Sequence, residues 1–470
     1  PTQAPVEDVA DESGITARDI AKALIQKPFF DWNGTKFNCI ETNYSLNGAL
    51  QGSGSGITNF LARGIFNQES DANGPSRAYQ LGLITDPSGR LIIKFVPKFP
   101  FVQFGVRHGL RAADPFGIAR TVDVTDVFTQ KNTFELQTSR TLWEGATINL
   151  NWKTEFTYDE RNQLQINGDG TIRPLTTSIT GDVSRTFLSI PPIGFLNITQ
   201  SGIQRVGEKW IEKTNAIGAT TNTLRNDLPA DTKNRLQVES FMQGFETLPF
   251  FSSVLREYLP RLNYSFNWGG LEKFPLFKFA DRASFRTAYT GNYKRTFKLN
   301  PGDTLELTTL QTVTYAFRPL IAFDFGWDKI LGGKLNASLN YDTQTDWAAD
   351  YSFNRITKRL ATTFGITANF SKEGITIPFL KLNLKNTFGA TFIFSQTIAN
   401  DLYYQFNDIL TNPGGTSNGG ITKTTFEPRI SYDLNQQLTI EAFFRYERTI
   451  PASSGVLVPP TRLITAGFDI

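Results

Sequence analysis

Residues 144–158 read Glu-Gly-Ala-Thr-Ile-Asn-Leu-Asn-Trp-Lys-Thr-Glu-Phe-Thr-Tyr. In an extended chain successive side chains point to opposite sides. Ala146, Ile148, Leu150, Trp152, Phe156 and Tyr158 therefore share one face, and Thr147, Asn149, Asn151, Lys153, Glu155 and Thr157 share the other. Thr154 is the one lapse on the oily side. One face is apolar and ends in aromatics while the other is fully polar. That fits a wall between lipid and water better than a soluble core, and it predicts a transmembrane β-barrel.

The alternation recurs outward from this stretch, steadily from about residue 133. It predicts strands over 261–268, 305–317, 335–341, 360–370, 381–394, 426–434, 438–446 and 462–470. The expectation is an all-β chain, an antiparallel transmembrane barrel wall of roughly 14 to 18 strands. On the lipid side the pattern places Ile148, Leu150, Trp152, Leu438, Ile440 and Phe444. On the lumen side it places Asn149, Asn151, Lys153, Glu155, Glu427, Arg429, Glu441 and Arg445. Phe443 breaks the rule. A soluble sandwich or β-helix also alternates, and a soluble adhesive β-protein is the non-membrane alternative. Its strands average about five to six residues, whereas many here run about ten or more, enough to cross a bilayer when tilted.

Three segments are expected. Residues 1–30 are an acidic, Pro-containing stretch and a short helix capped by Thr16, stapled by Ile15 and Ile20 and ended by Pro28. Residues 31–130 are mixed strands and loops, with a strand near 90–96, and 131–470 are barrel strands. Residues 213–233 and 400–421 read as long loops, and 433–437 as a short turn. Short turns on one side and long loops on the other are the outer-membrane habit.

Composition agrees. Phe numbers 40 of 470 residues, while Met, Cys and His occur once each. Mean hydropathy is negative although aromatics reach 13%, the mixture that a polar lumen with an oily belt requires. A net charge of +3 points to no nucleic-acid partner. Lone Cys39 excludes an internal disulfide and multi-Cys metal sites. No apolar run is long enough for a transmembrane helix. The sequence begins at Pro1 without the basic and apolar regions of an export signal, so a processed or partial chain is expected. His108 lacks a nucleophile elbow such as Gly-x-Ser-x-Gly, which argues against an enzyme such as a barrel phospholipase. Gly52–Gly56 lacks the Lys-Ser/Thr of a phosphate loop. No catalytic residue, cofactor or metal is expected, and the lumen is the expected functional surface.

Residues 259–291 carry a resemblance. Here Gly270, Leu271, Lys273, Pro275 and Lys278 form Gly-Leu-x-Lys-x-Pro-x-x-Lys after a strand ending in Trp268, and Tyr289 and Gly291 lie on the next strand. This resembles the C-terminal part of the SprA (Sov) family, outer-membrane translocons of the type IX secretion system. Residues 74–89, 426–432 and 443–449 are also similar to family segments. Thr287 and Ala288 stand where the family has a His before that Tyr. The resemblance implies a C-terminal portion of a very large barrel, exporting folded cargo that carries a C-terminal secretion domain and, with it, a part in gliding motility. It implies membrane lipid, a PorV-type FadL-like barrel and a plug protein as partners. The alternative from another class is a small-solute channel or a receptor barrel of the TonB-dependent kind, although residues 1–130 do not read like the plug domain of such a receptor. Within the resembling run, Phe274, Leu276 and Phe277 put apolar surface in a turn. Such a turn needs cover, either ordinary packing or a partner in the secretion machinery.

Overall fold

The computed structural model describes residues 34–46, 122–167, 172–188, 201–221, 227–246, 260–299, 306–377, 382–435, 438–451 and 459–469, with 65, 77–81, 83, 93–94 and 103–104. The expected helix at 15–28, His108 and the 52–56 segment lie outside the described residues.

Ala146–Ile166 is a strand throughout. It follows Val122–Trp143 across a turn whose Gly145 has φ +77, a left-handed conformation that a Cβ would strain. Around this hairpin the chain builds one antiparallel sheet of 13 strands. In chain order they are β1 (Lys36–Leu46), β2 (Val122–Trp143), β3 (Ala146–Ile166), β4 (Ile172–Thr186), β5 (Asn263–Gly269), β6 (Arg282–Leu299) and β7 (Glu306–Ile330). Then come β8 (Gly333–Asp350), β9 (Arg355–Ile377), β10 (Leu382–Gln405), β11 (Thr416–Asn435), β12 (Leu438–Pro451) and β13 (Thr461–Asp469). From β6 onward each strand pairs with the next, and β1 and β13 lie at the two edges of the described sheet. Leu331 and Gly332 both have positive φ, as a two-residue type I′ hairpin requires.

The strands are longer than the alternation alone marked out. The strand expected over 305–317 runs to Ile330, and that over 360–370 spans Arg355–Ile377. The long loop expected over 400–421 shrinks to 406–415: β10 continues to Gln405, β11 begins at Thr416, and Gly420 pairs with Asn400 inside the ladder. Only Ile93–Lys94 of the strand expected near 90–96 is described, paired with Gln103–Phe104.

A larger correction concerns 213–233. These residues belong in part to two helices, α1 (Gly202–Thr221) and α2 (Ala230–Phe245). Ser201 and Gln204 close a capping box at the start of α1: Gln204 N donates to Ser201 Oγ at 3.4 Å, and Ser201 N to Gln204 Oε1 at 3.1 Å. Ile203, Val206, Trp210, Thr214 and Ile217 follow at helical spacing. The helices cross where Gly244 meets the backbone of Val206, too closely for any Cβ. They belong to an insertion in a single strand position. β4 and β5 both pair with β3 on one side and with β6 on the other. Between them the chain leaves the sheet after Thr186 and returns at Arg261.

Candidate functional site

Register decides which side chains share a face. Starting from Ala146, the cross-strand row is Trp268, Phe285, Phe323, Leu339, Ile366, Phe394, Phe426, Tyr446 and Ile464. Every member is apolar or aromatic across ten strands. The row two residues toward the β3 start holds Ala283, Phe325, Ala337, Ala368, Phe392 and Pro428. The next holds Trp327, Leu335, Phe370, Ala390, Ile430, Ala442 and Phe468. Ile430, Ile464 and Phe468 are exposed. Along β11 the run from Phe426 to Leu434 covers about 27 Å at about 3.4 Å per residue.

Toward the other end the same face changes character. The row through Tyr289 and Phe317 continues as Thr343, Thr362, Ile398 and Thr422. Beyond it Tyr293, Val313, Trp347, Ala349, Ile356 and Tyr404 lie under α1 and α2, packed with Val206, Trp210, Phe241 and Phe245 in the largest buried cluster. Trp210 is wholly buried and donates Nε1–H to Asn407 Oδ1 at 3.3 Å, which ties α1 to the β10–β11 turn. Asn234 of α2 both donates to Thr308 O (2.7 Å) and accepts from Thr308 N (3.2 Å), standing in for a neighbouring strand. A buried ion triad holds the root of the insertion: Glu246 accepts from Arg185 Nη2 at 2.9 Å and Arg261 Nε at 3.2 Å. Tyr351, in the β8–β9 turn beside this cluster, has its phenol pushed up by burial.

The residues expected against lipid all fall on this apolar face. Phe444 and Leu438 are exposed, and Ile148, Trp152 and Ile440 half-buried. Leu150 differs: it is 4% exposed, so protein rather than lipid covers it. The apolar rows stop at β3, because β2 sets Arg140 opposite Ile148, Thr138 opposite Leu150 and Asn132 opposite Phe156, all three buried.

The residues expected in the lumen fall together on the opposite face. Asn149 donates to Ser265 Oγ at 3.1 Å and Asn151 to Glu135 Oε1 at 2.7 Å. Glu155 takes Lys131 at 3.0 Å and Lys153 at 3.3 Å. On β11 and β12 six charges alternate in a chain: Lys423–Glu447 (2.9 Å), Glu447–Arg445 (2.9 Å), Arg445–Glu427 (3.6 Å), then Glu427–Arg429 and Arg429–Glu441 (2.7 Å). Elsewhere on this face Arg286 pairs with Asp324, Lys294 with Asp182 and Arg359 with Asp401. Cations and anions are interleaved, so the face carries no block of one sign. Among the described residues no group of His, Cys, Asp and Glu could hold a metal ion.

The Gly270–Asp281 turn folds over the apolar face as two 3₁₀ turns. Phe274 meets Trp268 edge-on at 5.3 Å, and Phe277 lies 5.8 Å from Phe323. Trp327 Nε1–H donates to Phe279 O at 2.7 Å. Phe274 and Phe277 are thus half-buried on the chain's own strands, whereas Leu276 is 77% and Phe279 60% exposed. The positions that carry the sequence resemblance each have a local role. Gly270 has φ +81, Leu271 is buried, and Pro275 opens the second turn. Lys273 bonds Glu144 at 2.8 Å and holds that carboxyl below its usual range. Tyr289 is buried with its hydroxyl donating to Phe187 O at 2.9 Å, and Gly291 passes beneath the same carbonyl with no room for a Cβ. Thr287 and Ala288 fall at the register shift between Arg286 and Tyr289.

No protein-family model matches the chain, and no characterised protein matches it.

Proposed function

We propose that this chain forms part of the wall of a wide outer-membrane export channel of the type IX translocon kind. The observation that carries the membrane part is the register, which stacks apolar side chains from β3 to β13 into rows while the opposite face stays polar. At a tilt near 40° their extent of about 27 Å along the strand rises about 21 Å, comparable to the roughly 25 Å apolar band of outer-membrane barrels. The polar face supports passage of large cargo over selection of small ions. Selective pores set rings of one charge at a constriction, whereas here the ion pairs interleave both signs along the face. A lining with its charges paired has little field to hold a folded protein in transit. The sequence resemblance supplies the rest of the reading: cargo with a C-terminal secretion domain, a FadL-like barrel that receives it, and a plug protein that closes the idle channel.

The test is photocrosslinking in secreting cells, with the probe at Asn151 or Glu427 of the full-length protein and at Ile430 as the control. Cargo adducts at the first two positions and none at Ile430 are expected. Absence of cargo adducts, together with solute uptake that depends on the protein, would replace this reading with the small-solute channel.

A further inference from the structure

We infer that the Gly270–Asp281 turn is an interfacial anchor, docking Leu276 and Phe279 among phospholipid headgroups and upper acyl chains at one rim of the bilayer. The inference rests on the membrane reading above and assigns the turn one occupant.

A connection between antiparallel strands ordinarily runs on past the sheet edge into water. This one bends back over the apolar face. Phe274, Phe277 and Phe279 lie on Trp268, Phe323 and Phe325, which belong to the apolar rows. Inward packing therefore accounts for Phe274 and Phe277 but leaves Leu276 and Phe279 outward, at 77% and 60% exposure. Side chains of this size are costly in water. Their surroundings indicate what they meet. The outer surface of the turn continues the apolar rows, so a flat apolar medium already touching Phe325 and Trp327 would reach Leu276 without a break.

Three indoles, Trp143, Trp268 and Trp327, lie around the turn. Trp143 and Trp268 lie 5.3 Å apart edge-on. Trp is enriched at membrane–water interfaces, and here it is the rings that are available, since Trp327 gives its N–H to Phe279 O and Trp143 Nε1 is buried. Lys278 is exposed on the turn itself, and a lysine there can lay its stem along the apolar layer with the ammonium among phosphates, whereas Lys273 is paired with Glu144. An apolar patch flanked by indole rings and an ammonium group matches a headgroup boundary. A protein partner would need a complementary surface at that depth, and nothing on the turn specifies one.

The experiment uses the full-length protein, with Cys39 replaced by Ala, reconstituted in phospholipid vesicles. Leu276→Cys and Ile430→Cys each receive a polarity-sensitive fluorophore. Nitroxides placed near the headgroup or deep in the acyl chain serve as lipid quenchers, and iodide as the aqueous one. The Leu276 label should emit to the blue of its free form and lose most intensity to the shallow nitroxide, while the Ile430 label should respond to the deep one. A Leu276 label quenched by iodide alone, with Ile430 quenched by lipid, overturns the anchor and leaves the wall in place. A Leu276 label shielded from all quenchers means that protein covers the turn, and also overturns it. An Ile430 label that no lipid quencher reaches overturns the membrane reading itself.

Discussion

Arg261 donates its backbone N–H to the carbonyl of Thr186 at 2.8 Å, and Thr186 Oγ1 bonds the Arg261 carbonyl in return. The chain thus re-enters the sheet at the point where it left, and β4 and β5 behave as one strand with a helical excursion at its middle. Arg185 and Arg261 flank the gap, and Glu246 at the end of α2 bridges both guanidinium groups inside the protein.

Glu246 is therefore the residue on which docking of the insertion depends. Replacing it with Ala leaves two buried guanidinium groups without their carboxylate, and breaking one partner of a buried pair costs about 3–5 kcal/mol. Glu246→Ala should lower the temperature at which the detergent-extracted protein loses its heat-modifiable gel mobility, and should open the segment between Thr186 and Arg261 to protease. Unchanged mobility and protection would show that helix packing alone seats the insertion.

Gly291 marks the exit point. A Cβ there would collide with the carbonyl of Phe187, whose N–H is itself bonded to the Gly291 carbonyl at 2.9 Å. Neither group can move without breaking that bond. Gly291→Ala should cost about 1–3 kcal/mol, as overpacking does, measured by denaturant unfolding of the extracted protein. Gly414→Ala, with open space around it, is the control and should be close to neutral.

Ile430 lies in an apolar row and Thr425 on the opposite face of the same strand. Arginine at a lipid-facing position near mid-bilayer costs roughly 2–4 kcal/mol. Ile430→Arg should therefore reduce assembly in an outer-membrane insertion assay while Thr425→Arg assembles normally. Equal tolerance at both positions would count against a membrane wall.

The charge chain from Lys423 to Glu441 is partly exposed except at buried Glu427, and exposed pairs contribute about 0–1 kcal/mol each. Arg429→Gln, which keeps Arg445 beside buried Glu427, should leave stability nearly unchanged yet unbalance Glu441. Reversal potentials across planar bilayers should then shift toward cation selectivity. No shift would place these residues away from the conducting path.

Period-two alternation made the two faces legible, and the register keeps Asn149, Asn151, Glu427 and Glu441 on one side as the pattern had them. What escaped was of two kinds. Polar residues inside the helices, Thr214, Asn234, Gln237 and Ser240, diluted the apolar stripe, because each is buried by hydrogen bonding or close packing rather than by hydrophobicity. The Ser201-x-x-Gln204 box was a signal that could have found α1. The glycines at 414–420 suggested a loop, but Gly419, with φ +128, and Gly420 sit within β11 beside a bulge. Glycine marks a bulge as readily as a turn. The continuity of β4 with β5 has no local signature at all. It joins residues far apart in sequence, and only the pairing of both segments with β3 and β6 reveals it.

The lengths of β7 and β10, Glu306–Ile330 and Leu382–Gln405, have a further consequence. At about 3.3 Å per residue and the tilt near 40° of a membrane barrel, such strands would rise roughly 60 Å, more than twice the roughly 25 Å apolar band of such barrels. On the proposed membrane reading, the greater part of these two strands stands clear of the lipid. A folded domain of 100 residues, with a radius of gyration of about 13 Å, is about as tall as the part of such strands that lies beyond the lipid. If the proposed export function holds, a cargo of that size would pass the lipid-embedded and the projecting parts of the wall one after the other, so that entry and release would be separate events.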